Sequence, residues 1–325
     1  MGAGSWGTTF GLVVADSGHD VVLWARRPEL AAAIDATHRN PDYLPDVELP
    51  AGLRSTSDPV EALDGAYAVV LAVPAQALRA TLAGWALPAD ARVVSLAKGI
   101  ERGTGKRMSE VVIEAGGVDP QRLAVVTGPN LAREIAARQP SASVAASVRE
   151  STAQDVQRIC HTAAFRVYTN ADVVGCELAG ATKNVIALGV GMAVGLGFGA
   201  NATASLITRG LAETSRLGLA LGADPYTFAG LAGLGDLVAT CASPLSRNRT
   251  FGEELGRGRS VAEISHATRQ VAEGVPSCAS VQLLAREHGV AMPIVDHVAA
   301  VVAGELTPAE AVRALMSRAP GRERD

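Results

Sequence analysis

The 325-residue chain is predicted to fold as an α/β domain built on a mostly parallel sheet, followed by an all-α domain. Three observations lead there. A glycine-rich turn, Gly2-Ala3-Gly4-Ser5-Trp6-Gly7, opens the chain. Up to about residue 170, short apolar runs alternate with helix-length segments; beyond Asp172 the runs become long and rich in alanine and leucine, with no strand pattern left. Strand–helix–strand alternation specifies a parallel sheet covered on both faces, whereas successive long helices specify a helical bundle. The expected division is 1–172 and 173–325, with 318–325 a charged, frayed tail.

The opening turn has the Gly-x-Gly-x-x-Gly spacing of a Rossmann-like dinucleotide site. There Gly2 allows the tight turn, Gly4 the approach of a pyrophosphate, and Gly7 the packing of helix on strand. The helix expected over 5–17 would present its first N–H groups to that anion. Such a turn normally follows a strand in the middle of the sheet, and here only Met1 precedes it. The reading frame upstream of Met1 is therefore expected to encode about five to eight apolar or β-branched residues. Strands are expected over 20–25, 68–73, 92–97, 123–127, 141–145 and 165–168, with helices over 29–35, 76–82, 106–115 and 151–162 between them. The run Ala68-Val69-Val70-Leu71-Ala72-Val73 is nearly continuous in apolar residues, as burial on both faces demands. Further on, helices are expected over 173–195, 202–221, 226–239, 280–288, 293–303 and 308–316.

Composition narrows the function. Apolar residues make up 48% and charged residues 19%, which describes a foldable globular chain. A net charge of −4 gives no drive toward nucleic acid or an anionic membrane surface. Cys160, Cys176, Cys241 and Cys278 are widely spaced and read as reduced, buried thiols of a cytoplasmic protein. No metal-ligand spacing occurs, and Gly-x-Ser-x-Gly is absent. The apolar run 184–200 holds five glycines and is too short to span a bilayer.

The second expected strand ends in Arg26-Arg27, where a carboxylate would usually hold the adenosine ribose of NAD. Guanidinium groups accept no hydrogen bond from a 2′-hydroxyl but suit a 2′-phosphate. NADPH is the expected cofactor, with NADH possible. On an arbitrary loop two arginines are a solvated pair; their place at the carboxyl end of a strand favours the cofactor role.

Further segments occur in order: Asn40-Pro41-Asp42-Tyr43-Leu44-Pro45, Ala97-Lys98-Gly99-Ile100-Glu101, Gly128-Pro129-Asn130-Leu131-Ala132-Arg133-Glu134 and Glu177-Leu178-Ala179-Gly180-Ala181-Thr182-Lys183-Asn184. After them come Gly233-Leu234-Gly235-Asp236-Leu237, Ser246-Arg247-Asn248-Arg249 and Glu273-Gly274. With the N-terminal turn, this series resembles bacterial NAD(P)-dependent glycerol-3-phosphate dehydrogenase over essentially the whole chain. The pattern departs from the family at Asn130-Leu131, where Ser or Thr with an aromatic residue is usual, and in the strand before the turn. The resemblance implies reduction of dihydroxyacetone phosphate to sn-glycerol 3-phosphate for glycerophospholipid synthesis, and a homodimer. It implies that Ser5 and Trp6 contact the cofactor pyrophosphate region, and Arg26, Arg27 and Tyr43 its adenosine end. Lys98 would stand where cofactor and substrate meet, Gly128 and Asn130 on the substrate, Ala132 on the cofactor. Lys183 would be the catalytic proton carrier. Asp236, Ser246, Arg247 and Asn248 would line the substrate pocket, while Arg247, Val271 and Glu273 close over the cofactor.

These roles are chemically sensible. Hydride delivery to a ketone leaves charge on oxygen, so a positioned acid must supply a proton. Lys183 is the only charged residue between Glu177 and Arg209, in an apolar helix where an unpaired ammonium is costly. A lysine there could instead snorkel to the surface; the charge-free surroundings and the resemblance weigh against that. Lys98 follows a strand directly and projects from the sheet's carboxyl edge, although an ordinary surface lysine would also fit. Asp236 could be merely a helix cap, but is expected instead to pair with the substrate hydroxyl or with Lys183. Ser246-Arg247-Asn248 offers hydroxyl, guanidinium and amide donors for a phosphate, against the plainer reading of a solvated basic loop. Two other classes stay open at this point: a dehydrogenase of a small hydroxy acid, and an NADPH-binding protein without turnover.

Overall fold

The computed structural model describes residues 2–267 and 272–319. The first part runs α1 (Ser5–Asp16), β1 (Val21–Trp24), α2 (Pro28–Thr37), β2 (Leu53–Thr56), α3 (Pro59–Leu63), β3 (Ala68–Leu71) and α4 (Leu78–Leu82). It continues through β4 (Arg92–Ser95), α5 (Met108–Gly116), β5 (Leu123–Thr127), α6 (Ala132–Ala136), β6 (Ser141–Ala146), α7 (Glu150–Cys160) and β7 (Phe165–Asn170). The central sheet has the order β3-β4-β5-β6-β7, parallel except between β5 and β6; β1 and β2 form a separate parallel pair.

Period-2 alternation explains the layers. On β4, Val93 packs with Leu78, Met108 and Val111 on one face, while the next residue, Val94, packs with Phe10, Val13 and Val156 on the other. Helices therefore cover both faces, as the apolar strands predict. Gly2 sits between the carboxyl ends of β1 and β3. Its N–H donates to the Trp24 carbonyl (3.1 Å), and a Cβ there would lie 2.4 Å from the Ala72 carbonyl oxygen. With φ at 95°, this position requires glycine.

The second part is helical: α8 (Val173–Gly195), α9 (Ala200–Ala220), α10 (Pro225–Ala229), α11 (Asp236–Ala242), α12 (Arg247–Gly256), α13 (Val261–Ala267), α14 (Gly274–Glu287), α15 (Pro293–Ala303) and α16 (Pro308–Met316). α8 is long and apolar enough to cross a bilayer by length and composition, but most of it is buried as the axis of this bundle.

Several elements differ from expectation. The helix expected over 226–239 is three pieces. Asp224 caps α10, Gly230 is extended, and a single π-helical turn over Leu231–Gly235 leads into α11. α14 begins at Gly274 rather than at 280. β2, α3, α6, α12 and α13 were not expected. β2 buries a single apolar residue, Leu53, too little for a strand pattern. α12 is polar and meets α8 largely through backbone. A Cβ at Gly252 would lie 2.1 Å from the Leu188 carbonyl oxygen, and one at Gly191 equally close to that of Arg249. The buried stripe of α12, Asn248, Phe251, Gly252 and Leu255, holds only two large apolar residues, too few for the pattern to stand out.

Candidate active site

Three charged side chains meet where the carboxyl edge of the sheet abuts the helical bundle. Lys98 follows β4, Lys183 lies in the middle of α8, and Asp236 opens α11. Lys183 Nζ donates to Asp236 Oδ1 (2.6 Å) and to Thr240 Oγ1 (2.8 Å). Lys98 Nζ donates to the other carboxylate oxygen (2.6 Å) and to the Gly128 carbonyl (3.1 Å). Asp236 is 1% exposed and Lys183 8%, so neither lysine snorkels and the carboxylate is fully desolvated. A broken buried pair would leave an uncompensated charge, which makes the arrangement stiff.

The electrostatics favour a mobile proton. Burial, opposed by Asp236 and reinforced by the neighbouring Lys98 ammonium, brings Lys183 down to about 8. Burial pushes Asp236 up, but Lys183 and Lys98 outweigh it and hold the carboxyl below its usual range. Two cations share one anion, so the cluster carries net positive charge against any incoming oxyanion. Glu273, half-buried at the start of α14, is raised by burial while Arg247, Lys98 and Lys183 pull it back, which places it electrostatically in the same group.

Packing explains why the lysines can converge. Gly180 of α8 brings that helix against β5 and Lys98: a Cβ there would lie 3.3 Å from Thr127 Oγ1 and 3.4 Å from Lys98 Cγ. Ile100, just after Lys98, is buried in the core of the helical bundle. Glu177, less than two turns before Lys183, accepts from the Ser109 N–H and hydroxyl (2.6 Å each) and from Arg107 Nη1 (2.8 Å). It fastens the start of α5 to α8. Burial raises the Glu177 carboxyl, against the pull of Arg107 and Ser109.

The glycine turn fits a dinucleotide. Gly4 precedes α1 with an extended backbone, and a Cβ built on it meets nothing within 4 Å, so the space over the helix start is open. A Cβ on Gly7 would strike the Gly2 carbonyl oxygen at 1.9 Å, so this residue closes the turn. Ser5 and Trp6 form the first turn of α1, and Trp6 Nε1 is a buried donor without a partner among the described residues. Ala132 opens α6, and its carbonyl accepts from Thr9 of α1 (3.2 Å). Arg26 and Arg27 are exposed just past β1, with Arg27 paired to Asp42; Tyr43 is half-buried beside them.

Gly128 and Asn130 follow β5. Gly128 has φ 134°, and Asn130 Nδ2 donates to Ser143 Oγ (3.1 Å) while its Oδ1 is buried without a partner among the described residues. Ser246 is the buried N-cap of α12, accepting from the Arg249 N–H (3.3 Å). Arg247 is exposed at the first helical position. The buried Asn248 is a bridge: its Nδ2 donates to Asn184 Oδ1 (2.8 Å), and its Oδ1 accepts from the Gly274 N–H (2.9 Å). The segment is thus a capped helix start, not the solvated basic loop of the plainer reading. Val271 lies outside the described residues. Thr240 and Asn184 escaped the sequence reading. Thr240 stands one turn after Asp236 on the same face of α11, a spacing that would have found it had that helix start been placed.

A nucleotide cradle on the sheet side and a proton-bearing lysine on the helical side place the chain among the two-domain, nicotinamide-dependent oxidoreductases. The profile of NAD-dependent glycerol-3-phosphate dehydrogenase N-termini matches residues 1–153, and that of the C-termini residues 172–313. The glycerol-3-phosphate dehydrogenase [NAD(P)+] of Streptomyces avermitilis is 61% identical, over 100% of this chain and 97% of its own length. That of Frankia casuarinae is 60% identical, over 99% and 96%. The crystal structure of glycerol-3-phosphate dehydrogenase from Coxiella burnetii superposes with a TM-score of 0.93 at 38% identity, covering 98% of this chain and 97% of that one. D-mandelate dehydrogenase, at 13% identity and a TM-score of 0.58, shares the fold alone. The chain belongs to the NAD-dependent glycerol-3-phosphate dehydrogenase family.

Proposed function

We propose that this chain reduces dihydroxyacetone phosphate to sn-glycerol 3-phosphate, with Lys183 as the proton donor. The observation that carries the reading is the buried Lys98–Asp236–Lys183 cluster, in which burial and the second ammonium bring Lys183 near neutrality. NADPH is the preferred cofactor and NADH is accepted. Gly2, Gly4 and Gly7 admit the pyrophosphate against α1, Ser5 and Trp6 line it, and Ala132 and Glu273 flank the nicotinamide side. When bound, the reduced nicotinamide supplies a hydride to the ketone carbon. Lys183 donates its proton to the carbonyl oxygen, and Asp236 keeps the ammonium aimed there. Lys98 holds the oxygen side of the substrate beside Gly128 and Asn130.

Ser246, Arg247 and Asn248 sit at the α12 N-terminus, which faces the same region through the Asn184–Asn248 bond. A helix start with an exposed guanidinium suits the phosphate, with Arg247 making the direct ion pair. Ser246 and Asn248 have structural bonds of their own, so their contribution is to fix this helix start. The same proposal divides the chain into 1–172 and 173–325 and takes the enzyme to be a cytoplasmic homodimer feeding glycerophospholipid synthesis. Oxidation of NADPH by the purified protein tests it. Turnover is expected with dihydroxyacetone phosphate and to be lower by at least about a thousandfold in kcat/KM with unphosphorylated dihydroxyacetone. Equal rates on the two would reject the phosphate reading.

A further inference from the structure

A carboxylate from another loop supplies what the end of β1 lacks. Arg26 and Arg27 stand where a nucleotide ribose is met, and Arg27 occupies the position just before α2. Its Nη2 donates to Asp42 Oδ2. Asp42 is not on a loose loop. It lies at the tip of a closed turn in which the Leu44 N–H donates to the Asn40 carbonyl (2.9 Å) and the Tyr43 N–H to Asn40 Oδ1 (3.3 Å). Asn40 is fully buried. Its Nδ2 donates to the Ala3 carbonyl (3.0 Å) and to Thr8 Oγ1 (2.8 Å), which bolts the turn to the glycine motif and to α1. Leu44 is buried in the cluster that also holds Ala3, Ala25 and Leu30. Both ends of the Arg27–Asp42 pair are therefore carried on backbone fixed relative to the pyrophosphate turn.

We infer that Asp42 sets the balance between NADPH and NADH, by competing with a 2′-phosphate for Arg27 and by accepting a hydrogen bond from a 2′-hydroxyl. The inference rests on the reading of Arg26 and Arg27 as adenosine-end contacts. An ionised carboxylate is an acceptor only. It repels a phosphate dianion and occupies one guanidinium edge that the phosphate needs for bidentate contact. With NADH no phosphate arrives, and the same oxygens meet the ribose as a carboxylate at the end of the second strand ordinarily does. One ion pair can thus serve either cofactor: the arginine for the phosphate, the aspartate for the hydroxyl. The exposure of both side chains lets them part when the phosphate enters, and makes the pair itself cheap to break.

Equilibrium titration of NADPH and NADH, followed by nicotinamide fluorescence, tests this without turnover. In Asp42→Asn the ratio of Kd for NADH to Kd for NADPH should rise by about tenfold, through tighter NADPH and weaker NADH. Arg27→Ala should weaken NADPH by about tenfold and leave NADH within about twofold. If Arg27→Ala weakens NADPH but Asp42→Asn leaves the ratio unchanged or lowers it, the inference about Asp42 is overturned while the adenosine-end reading stands. If Arg27→Ala leaves NADPH affinity intact, that reading falls and takes this one with it. Both side chains are exposed, so both variants should fold; the thermal midpoint of each serves as the control.

Discussion

Lys183 is a cation that the fold has made ready to lose its charge. Burial takes away its hydration, Lys98 adds repulsion, and Asp236 returns enough attraction to keep it protonated at neutral pH. Reduction consumes the protonated form, so kcat for dihydroxyacetone phosphate should fall as pH rises through about 8. Oxidation of sn-glycerol 3-phosphate needs the neutral amine, and its kcat should rise across the same interval. Steady-state rates in both directions between pH 6 and 10 (roughly two units either side of that midpoint) check the pairing. Profiles that move together, or a flat reductive limb, would count against Lys183 as the donor. This residue was legible in the sequence because nothing charged surrounds it. Asp236 was visible as a polar residue among glycines, with Lys183 expected as a partner, but its second partner was not, since nothing local says that residue 98 approaches the same carboxylate. Thr240 and Asn184 were lost for the same reason: each is an ordinary polar residue until a helix face is known.

At the scale of elements, what was readable largely followed apolar periodicity. The strands of the central sheet and the helices α8 and α15 came through because their buried faces are continuous, whereas α9 and α16, which bury few apolar residues, came through on composition. α12 did not. It is held to α8 by glycines at which the two backbones touch, and it places Arg247 and Asn248 within reach of the helix bearing Lys183. Gly252→Ala tests this contact. The added Cβ would lie 2.1 Å from the Leu188 carbonyl oxygen, and since backbone cannot yield as a side-chain tip can, α12 must shift. A loss of about 3 kcal/mol is expected, seen as a thermal midpoint lowered by roughly 5 °C or more. The KM for the phosphorylated ketone should rise with it while NADPH affinity holds. A variant with unaltered midpoint and KM would show that α12 does not depend on this approach. The breaks within 225–242 were hidden differently. The run reads as helical by composition, and only Gly230 in an extended conformation and the crowding of Gly233 against Phe228 divide it.

For the whole molecule, the site is a product of assembly. The α/β half supplies the nucleotide cradle and Lys98; the helical half supplies Lys183, Asp236 and the α12 start. Glu177 on Arg107 and Ser109, and Ile100 in the helical core, keep the halves in register. The two-part architecture could be read from the switch in pattern at about residue 172, and the dinucleotide turn from its glycines. The pairing of Asp42 could not, because it reaches Arg27 from a loop anchored by a buried asparagine. The division of labour has a direct consequence: removing the proton donor should abolish chemistry and leave cofactor binding intact. The decisive measurement is therefore Lys183→Met assayed for both at once. NADPH should bind within about twofold of the unmodified protein, while kcat for dihydroxyacetone phosphate falls by at least about a hundredfold. Turnover that survives the substitution would contradict the account at its centre.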